Sequence, residues 1–239
     1  MKISIVYITN AKNPKTLNEC IDSSLFADEV IVVGNTQNIK QNVIKIEVPN
    51  LANDGMISKM RNIGADAATG DIIINADDDI FFPRMFKKKL LKFIKSNPNI
   101  QSFNTKVIGL NGSRYWDRSV HDENGNSYMI DYDKSHLDLY YSGAFIVRKK
   151  EFAKKYKWDD KLGYYQKEDV EYSDRIKKSG YSINVDPKNY VIHMDPNYIS
   201  YNNGGKLVCD KLSNVVCEGI QEKELREIFA LFYNRSKEE

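Results

Sequence analysis

Three consecutive aspartates, Asp77, Asp78 and Asp79, come close behind the apolar run "DIIIN" at 71–75. Neighbouring carboxylates repel one another, so the cluster indicates that a positive partner is expected. On extended backbone the side chains at i and i+2 point the same way, which would let Asp77 and Asp79 bind one ion. Proteins hold magnesium and manganese ions with one or two carboxylates plus phosphate oxygens of the substrate. We favour a site for Mn²⁺ or Mg²⁺ over an acidic turn that caps the next helix.

A second pair of carboxylates, Glu168 and Asp169, lies at the predicted start of a helix. Acidic residues are common in a first helical turn because the helix dipole stabilises them. One of the pair could instead be a general base that removes the proton from an attacking hydroxyl. The residues alone leave both interpretations open.

A single histidine, His193, follows a short predicted strand in "YVIHMDP". A lone histidine is more often structural than a metal ligand. A neutral imidazole could nevertheless complete a metal site begun by the aspartates, and it would favour manganese over magnesium.

The first hundred residues alternate strand and helix patterns. Continuous apolar runs, typical of strands covered on both faces, predict strands at 3–9, 29–35 and 71–75, and an alternating pattern predicts a strand nearer the sheet's edge at 42–48. Helices are predicted from Asn13 and Pro14, from a cap at Asp54 to Gly70, and from Pro83 to Ser96. This alternation predicts a largely parallel sheet, which binds ligands at the carboxyl ends of its strands. The aspartates lie at such an end.

The second part of the chain changes character. Strands predicted at 101–110 and 140–149 enclose a polar, aromatic-rich loop, and a helix is predicted over 167–181, followed by two short strands. Leu225, Ile228, Phe229 and Phe232 form a helical stripe, which we interpret as packing rather than as a partner surface.

The composition is ordinary for a soluble domain: 239 residues, 41% hydrophobic and 28% charged. A net charge of +2 does not by itself indicate a nucleic-acid or membrane partner.

The segment 84–93, "RMFKKKLLKF", predicts a helix with a basic outer face, either simply solvated or facing phosphates or lipid. Three cysteines without metal spacing indicate reduced thiols in the cytoplasm. The first residues predict a strand rather than a signal peptide, and no run approaches the ~20 apolar residues of a membrane span. Peripheral membrane association stays open.

Two stretches resemble a known family. "MRNIGADAATGDIIINADDD" is similar to the nucleotide-sugar half of a GT-A-fold glycosyltransferase of the family-2 type. "YYSGAFIVRKKEF", "KEDVEYSDRIKKSGYSI" and the later histidine resemble its acceptor half. The resemblance implies an α/β, Rossmann-like GT-A fold, whose central, mostly parallel sheet is flanked by helices. Residues 1–100 would bind the nucleotide sugar and 101–196 the acceptor, and we expect 197–239 to be a short helical C-terminal tail.

The resemblance also implies roles for single residues. Thr9 and Asn10 would line the base pocket, and Asn35 would lie in "GNT" where the family usually has an Asp-Gly-Ser-type turn. Arg61 and Asp78 would face the nucleotide, and Asp77 would face the ribose or the metal.

The metal and catalytic roles follow from the same likeness. Asp79, Asp77 and His193 would bind the cation, Asp169 would be the catalytic base, and Glu168 would contact the acceptor. The sugar and acceptor pocket would be shaped by Arg114, Trp116, Asp117 and Gly143.

The expected function is therefore metal-dependent, inverting transfer of a sugar from a nucleoside-diphosphate sugar, by family habit a UDP-sugar, to a hydroxyl acceptor. A surface glycan, lipid-linked glycan, protein, small molecule or modified nucleic-acid base all stay open as acceptor, although nucleic acid is disfavoured. A sugar-1-phosphate nucleotidylyltransferase would carry a glycine-rich loop after the first strand, and "YITNAKNPKTL" has no glycine. A phosphatase with an aspartate nucleophile would carry its D-x-D after the first strand. A non-catalytic glycan-binding protein on a degenerate transferase fold is the remaining alternative.

Overall fold

A computed structural model describes residues 1–109 and 114–194 of the chain. The alternation of strands and helices in the first hundred residues is confirmed. The elements are β1 (Ile3–Thr9), α1 (Pro14–Ser24), β2 (Glu29–Gly34), β3 (Ile44–Glu47), α2 (Pro49–Asn53), α3 (Ile57–Ala67), β4 (Ile72–Asp77), β5 (Ile80–Phe81) and α4 (Phe86–Ser96).

The second part supplies further strands and two helices. They are β6 (Ser102–Gly109), β7 (Ser119–His121), β8 (Ser127–Met129), β9 (Leu139–Tyr140), β10 (Phe145–Lys149), α5 (Lys150–Lys155), α6 (Glu168–Lys178) and β11 (Val185–His193). The tail predicted to be helical, 197–239, lies outside the described residues, and so do Cys209 and Cys217.

Eight strands form the central sheet, in the order β3-β2-β1-β4-β10-β6-β11-β5. The first four run parallel to one another, and β11 runs parallel to β6. The strand β10 is antiparallel to both of its neighbours, and β5 is antiparallel to β11. A small antiparallel sheet, β8-β7-β9, stands apart. The expected α/β sheet flanked by helices is confirmed.

The strand that carries the aspartates is covered on both faces. Ile72 and Ile74 belong to the core that contains residues of α1 and α4, whereas Ile73 belongs to the core that contains residues of α3. Burial on both sides explains why this strand reads as an unbroken apolar run. The run ends at the carboxyl edge, where polar side chains meet solvent.

Several predicted boundaries were wrong. The strand predicted at 140–149 is divided between β9, which ends at Tyr140 in the small sheet, and β10, which begins at Phe145 in the central sheet. Asp54 does not cap a helix at its start but ends α2, and α3 begins at Ile57. Pro49 begins α2, and Gly55, with φ +67°, allows the chain to turn between α2 and α3. Pro83 lies in a turn before α4, where its carbonyl accepts from the Phe86 amide at 2.9 Å. The two short strands expected near the end are one strand, β11, with an irregular register between Asp186 and Tyr190.

In the part of the chain that the structure describes, no helix combines the length and apolarity that crossing a bilayer requires.

Gly64 sets how closely α3 approaches the sheet, and it generates a first prediction. A Cβ at this position would lie 2.2 Å from Val6 Cγ1. We expect Gly64→Ala to lower the free energy of unfolding, because overpacking costs about 1–3 kcal/mol and outweighs the roughly 1 kcal/mol that alanine gains in helix propensity. Urea unfolding would measure the change, with Ala67→Ser on the exposed face of α3 as the control. Unchanged or higher stability of Gly64→Ala would contradict this packing.

Candidate active site

The candidate site lies where β1, β2 and β4 end side by side. Thr9 pairs with Gly34 in the parallel register, and a Cβ at Gly34 would lie 1.9 Å from the Thr9 carbonyl oxygen, so only glycine fits there. The Asn35 amide donates to that same oxygen at 3.1 Å. The structure thus brings Thr9 and Asn35 together, and their role in binding a base stays a prediction. Asn10 is exposed, and its side chain accepts from the Lys12 amide at 3.0 Å.

The three aspartates diverge to different partners. Asp77 Oδ1 lies 3.1 Å from Arg61 Nη2, Asp78 Oδ2 accepts from Thr9 Oγ1 at 2.6 Å, and Asp79 Oδ2 lies 3.3 Å from His193 Nε2. The extended backbone expected across the cluster ends at Asp77, because the chain turns there to begin β5 at Ile80. The prediction that Asp77 and Asp79 point the same way on extended backbone was therefore wrong.

Asp79 and His193 form the pair best suited to a cation. The pairing of β5 with β11 sets His193 opposite Ile80, and the Met194 amide donates to the Asp79 carbonyl at 2.8 Å. The His193 ring stacks on Tyr115 with centroids 3.9 Å apart. One carboxylate and one imidazole suit Mn²⁺ when phosphate oxygens supply further ligands. Within residues 1–109 and 114–194, no group of three or more histidine, cysteine or acidic side chains could hold a metal by itself.

Crowding of the carboxylates changes the ionisation of Asp78. The pKa of Asp78 is raised to about 7. Burial is the largest cause, the negative charge of Asp79 adds to it, and the hydrogen bond from the Thr9 hydroxyl opposes it by a smaller amount. Without a cation, Asp78 is therefore partly protonated at neutral pH.

Arg61 connects the two halves of the site. Its guanidinium is 2% exposed, with Nη2 on Asp77 and Nη1 3.2 Å from Glu168 Oε1. Burial alone would lower the pKa of Arg61, but Asp77 and Glu168 together raise it. The structure places the charge of Arg61 between the end of β4 and the start of α6. That Arg61 faces the nucleotide stays a prediction.

Asp169, the candidate base, is held by two backbone amides. Its Oδ2 accepts from the Gly143 amide at 3.3 Å and its Oδ1 from the Val170 amide at 2.9 Å. Burial raises the pKa of Asp169 to about 6, with a further contribution from Glu168, while Arg61 lowers it. A carboxylate with this pKa is ionised at neutral pH and is a stronger base than an ordinary aspartate.

Glu168 and Gly143 lie close to each other and to Arg61, next to Asp169. Glu168 is buried against Arg61, and a Cβ at Gly143 would lie 3.1 Å from Glu168 Oε1 and 3.2 Å from Arg61 Nη2. The acceptor contact predicted for Glu168 stays a prediction, since its carboxylate is engaged by Arg61.

Arg114 and Asp117 form a buried clasp. Arg114 Nε donates to Asp117 Oδ1 at 3.0 Å, and Asp117 Oδ2 accepts from the Val107 amide at 3.1 Å and from the Tyr132 hydroxyl at 2.5 Å. Both are 3% exposed, so they stabilise the connection after β6 and offer little surface to a sugar. Trp116, half-buried with φ +40°, lies between them in the chain.

Sequence reasoning missed the residues that hold Arg61 in place. Asn62 Nδ2 donates to the Trp158 carbonyl at 2.9 Å, and its Oδ1 accepts from the Trp158 amide at 3.0 Å. The Arg61 guanidinium lies over the Trp158 ring, with Cζ 4.8 Å from the ring centroid, and the same ring stacks on Tyr172 of α6. The dipeptide Arg61–Asn62 was a visible signal, but its partner lies 96 positions away.

Comparison with known proteins identifies the class. Residues 4–157 match the family model described as "Glycosyl transferase family 2", so the chain belongs to that family.

Individual relatives agree with this class. The chain is 34% identical over 131 residues to "Uncharacterized glycosyltransferase YwdF" of Bacillus subtilis (strain 168), which covers 48% of this chain and 47% of that protein. The chain therefore spans about half the length of this curated relative.

Solved structures show the fold. The chain is similar to GalNAc-T7 crystallised with UDP, GalNAc and Mn²⁺, at a TM-score of 0.64 and 18% identity, over 82% of this chain and 44% of that one. It is also similar to S. aureus TarS 1-349 in complex with UDP, at a TM-score of 0.56 and 18% identity, over 98% of this chain and 71% of that one. The GT-A fold expected from the sequence is confirmed.

The environment of Asp169 generates a prediction about its pKa. We expect Glu168→Gln to lower the pKa of Asp169 below about 6, because it removes the neighbouring negative charge and leaves Arg61 in place. Carbon-13 NMR titration of aspartate carboxyl groups would measure the shift. Glu171→Gln, on the same helix but paired with Arg175, is the control and should leave that pKa near its starting value. A higher pKa in Glu168→Gln would contradict the electrostatics described here.

Proposed function

We propose that the chain transfers a sugar from a nucleoside-diphosphate sugar, most simply a UDP-sugar, to a hydroxyl acceptor, with a divalent cation and inversion at the anomeric carbon. The observation that carries this proposal is the arrangement around Arg61. The buried guanidinium of Arg61 contacts Asp77 at the end of β4 and Glu168 at the start of α6. It thereby connects the strand that leads into the three aspartates with the helix that carries the candidate base, Asp169. The solved relative with UDP, GalNAc and Mn²⁺ supports the donor and metal classes.

In this mechanism the chain's own residues divide the work. Thr9, Asn35 and Asp78 bind the nucleoside end of the donor. Asp79 and His193 would hold Mn²⁺ or Mg²⁺, which when bound neutralises the negative charge of the departing diphosphate. Asp77 orients Arg61 and borders the donor.

Asp169 accepts the proton of the attacking acceptor hydroxyl, which is otherwise a poor nucleophile. The Gly143 and Val170 amides keep its two oxygens in place. When the base acts on the face of the sugar opposite the diphosphate, the anomeric configuration inverts. Trp116 and Gly143 border the acceptor side.

The wider assignments rest on the same proposal. Residues 1–100 bind the donor and 101–196 the acceptor, with a surface glycan or glycoconjugate as the product. The cytoplasmic location, expected from reduced cysteines, stays a prediction.

Donor binding provides the first test. Isothermal titration of the full chain with UDP and Mn²⁺ should show saturable binding. In Asp79→Asn we expect the metal-dependent binding of UDP to be lost, because one of the two protein ligands of the cation is removed. Asp66→Asn, an exposed acidic position on α3, is the control. Absence of heat with the unchanged protein would favour the non-catalytic alternative.

Turnover provides the second test. We expect Asp169→Asn to keep UDP binding and to lower kcat by about 10²–10⁴-fold, the usual contribution of a general base. In the unchanged protein, kcat/KM should rise with pH and level off above about 6, since Asp169 must be ionised to accept a proton. Donor hydrolysis across a panel of nucleotide sugars would provide the assay. A parent-like rate in Asp169→Asn would remove its assignment as base.

A further inference from the structure

Four cations form a stripe on the outer face of α4. Lys88, Lys92 and Lys95 recur at the spacing of one helix face, and Arg84 lies one turn earlier, in the turn before the helix; all four are exposed. The three lysines extend over about 10 Å at the rise of an α-helix. We call Arg84, Lys88, Lys92 and Lys95 the basic stripe.

The basic stripe carries uncompensated charge. The helix has no acidic residue, and within the described ranges none of the four cations lies in ion-pair distance of a carboxylate. Some lysines elsewhere do find partners, as the exposed Lys157 does with Asp66 at 2.8 Å and the half-buried Lys177 with Asp174 at 2.9 Å. A row of like charges without counter-charges repels itself, so an anionic surface would be stabilising there.

The opposite side of α4 is fixed firmly to the core. Phe86 and Leu90 are 1% and 0% exposed, and the Phe86 ring packs on Phe82 with centroids 4.8 Å apart. The basic stripe therefore has a fixed orientation on the protein surface.

Apolar side chains stand at the N-terminal end of the basic stripe. Met85 is 43% exposed and Leu25 is 55% exposed. Leu25 follows α1, and its neighbour Phe26 contacts the start of α4: the Phe26 ring packs on Phe86, and the Phe26 carbonyl accepts from Lys87 Nζ at 2.8 Å. Basic residues beside exposed apolar ones are typical of surfaces that lie on anionic membranes.

We propose that the basic stripe, with Met85 and Leu25, binds the surface of an anionic phospholipid bilayer. Phosphate groups supply the complementary charge, and the two apolar side chains enter the boundary between headgroups and acyl chains. A soluble polyphosphate could satisfy the cations, but it would make no use of Met85 and Leu25, so the bilayer is favoured.

The placement has a consequence that rests on the proposed function. In the chain, α4 follows shortly after the turn with Asp79, and it begins at the edge of the sheet where the candidate site lies. Attachment through its N-terminal end would hold the site close to the lipid surface, where a lipid-linked acceptor is presented.

Vesicle sedimentation tests the proposal. The full chain should bind vesicles of mixed phosphatidylglycerol and phosphatidylcholine, release with rising salt, and bind weakly to phosphatidylcholine alone. Each lysine near such a surface is worth about fivefold in partitioning, so Lys88→Ala/Lys92→Ala/Lys95→Ala should weaken binding by roughly a hundredfold. The matched control, Lys59→Ala/Lys154→Ala/Lys178→Ala, removes the same charge from exposed positions on α3, α5 and α6 and should bind like the unchanged chain. Equal loss in both triple variants would overturn the proposal, since net charge alone would then explain binding.

A second pair of measurements separates the two sources of phosphate. Leu25→Ser/Met85→Ser should weaken vesicle binding but leave the binding of soluble polyphosphate unchanged. If polyphosphate binds as tightly as vesicles and this variant binds vesicles normally, the stripe is a polyanion site and the bilayer proposal fails. Titration with UDP and Mn²⁺ should be unaffected in every variant, because none of these residues lies in the candidate site. A chain that binds vesicles but not UDP would contradict the proposed function and leave the membrane surface standing.

Discussion

A single buried positive charge determines how the two sides of the site face each other. The guanidinium of Arg61 is enclosed, and a buried ion must find opposite charge nearby or destabilise the fold. It finds Asp77 at the end of β4 and Glu168 at the start of α6. Breaking such a buried pair by removing one partner typically costs about 3–5 kcal/mol, so neither contact is easily given up. The distance between the acidic edge and the candidate base is therefore tied to the position of one side chain on α3.

Other features become understandable from this constraint. A guanidinium that must reach two carboxylates needs a flat support, and the Trp158 ring provides one while it stacks on Tyr172 of α6. Asn62 then holds the Trp158 backbone from the next position on α3. Gly143 lies so close that a Cβ there would come within 3.1 Å of Glu168 Oε1 and 3.2 Å of Arg61 Nη2, so a larger residue would press on this ion pair. Asp169 lies next to this cluster, where burial and Glu168 raise its pKa and Arg61 restrains the rise.

Periodicity and order in the chain were enough to predict the sheet and the edge that carries the candidate site. Buried strands have a pattern of their own, so β1, β2 and β4 were found within a residue or two. Contacts between distant segments leave no such pattern. The turn after Asp77 exists because β5 pairs with β11, and the burial of Arg114 and Asp117 depends on Tyr132 and the Val107 amide. The separate helix α2 was missed because Pro49 and Gly55, which bound it, were not weighed against a longer helix from Asp54.

The divergence of the three aspartates also explains how the fold tolerates their mutual repulsion. Asp77 is paired with the Arg61 guanidinium, and Asp79 lies 3.3 Å from His193 Nε2. Asp78 accepts from the Thr9 hydroxyl, and its pKa rises to about 7 as a result of burial and its charged neighbours. Under the proposed function, a cation held by Asp79 and His193 would favour the ionised form of Asp78. The three carboxylates thus contact three different partners, Arg61, Thr9 and His193, and under the proposed function Asp78 would lie beside the nucleoside and Asp79 would bind the metal.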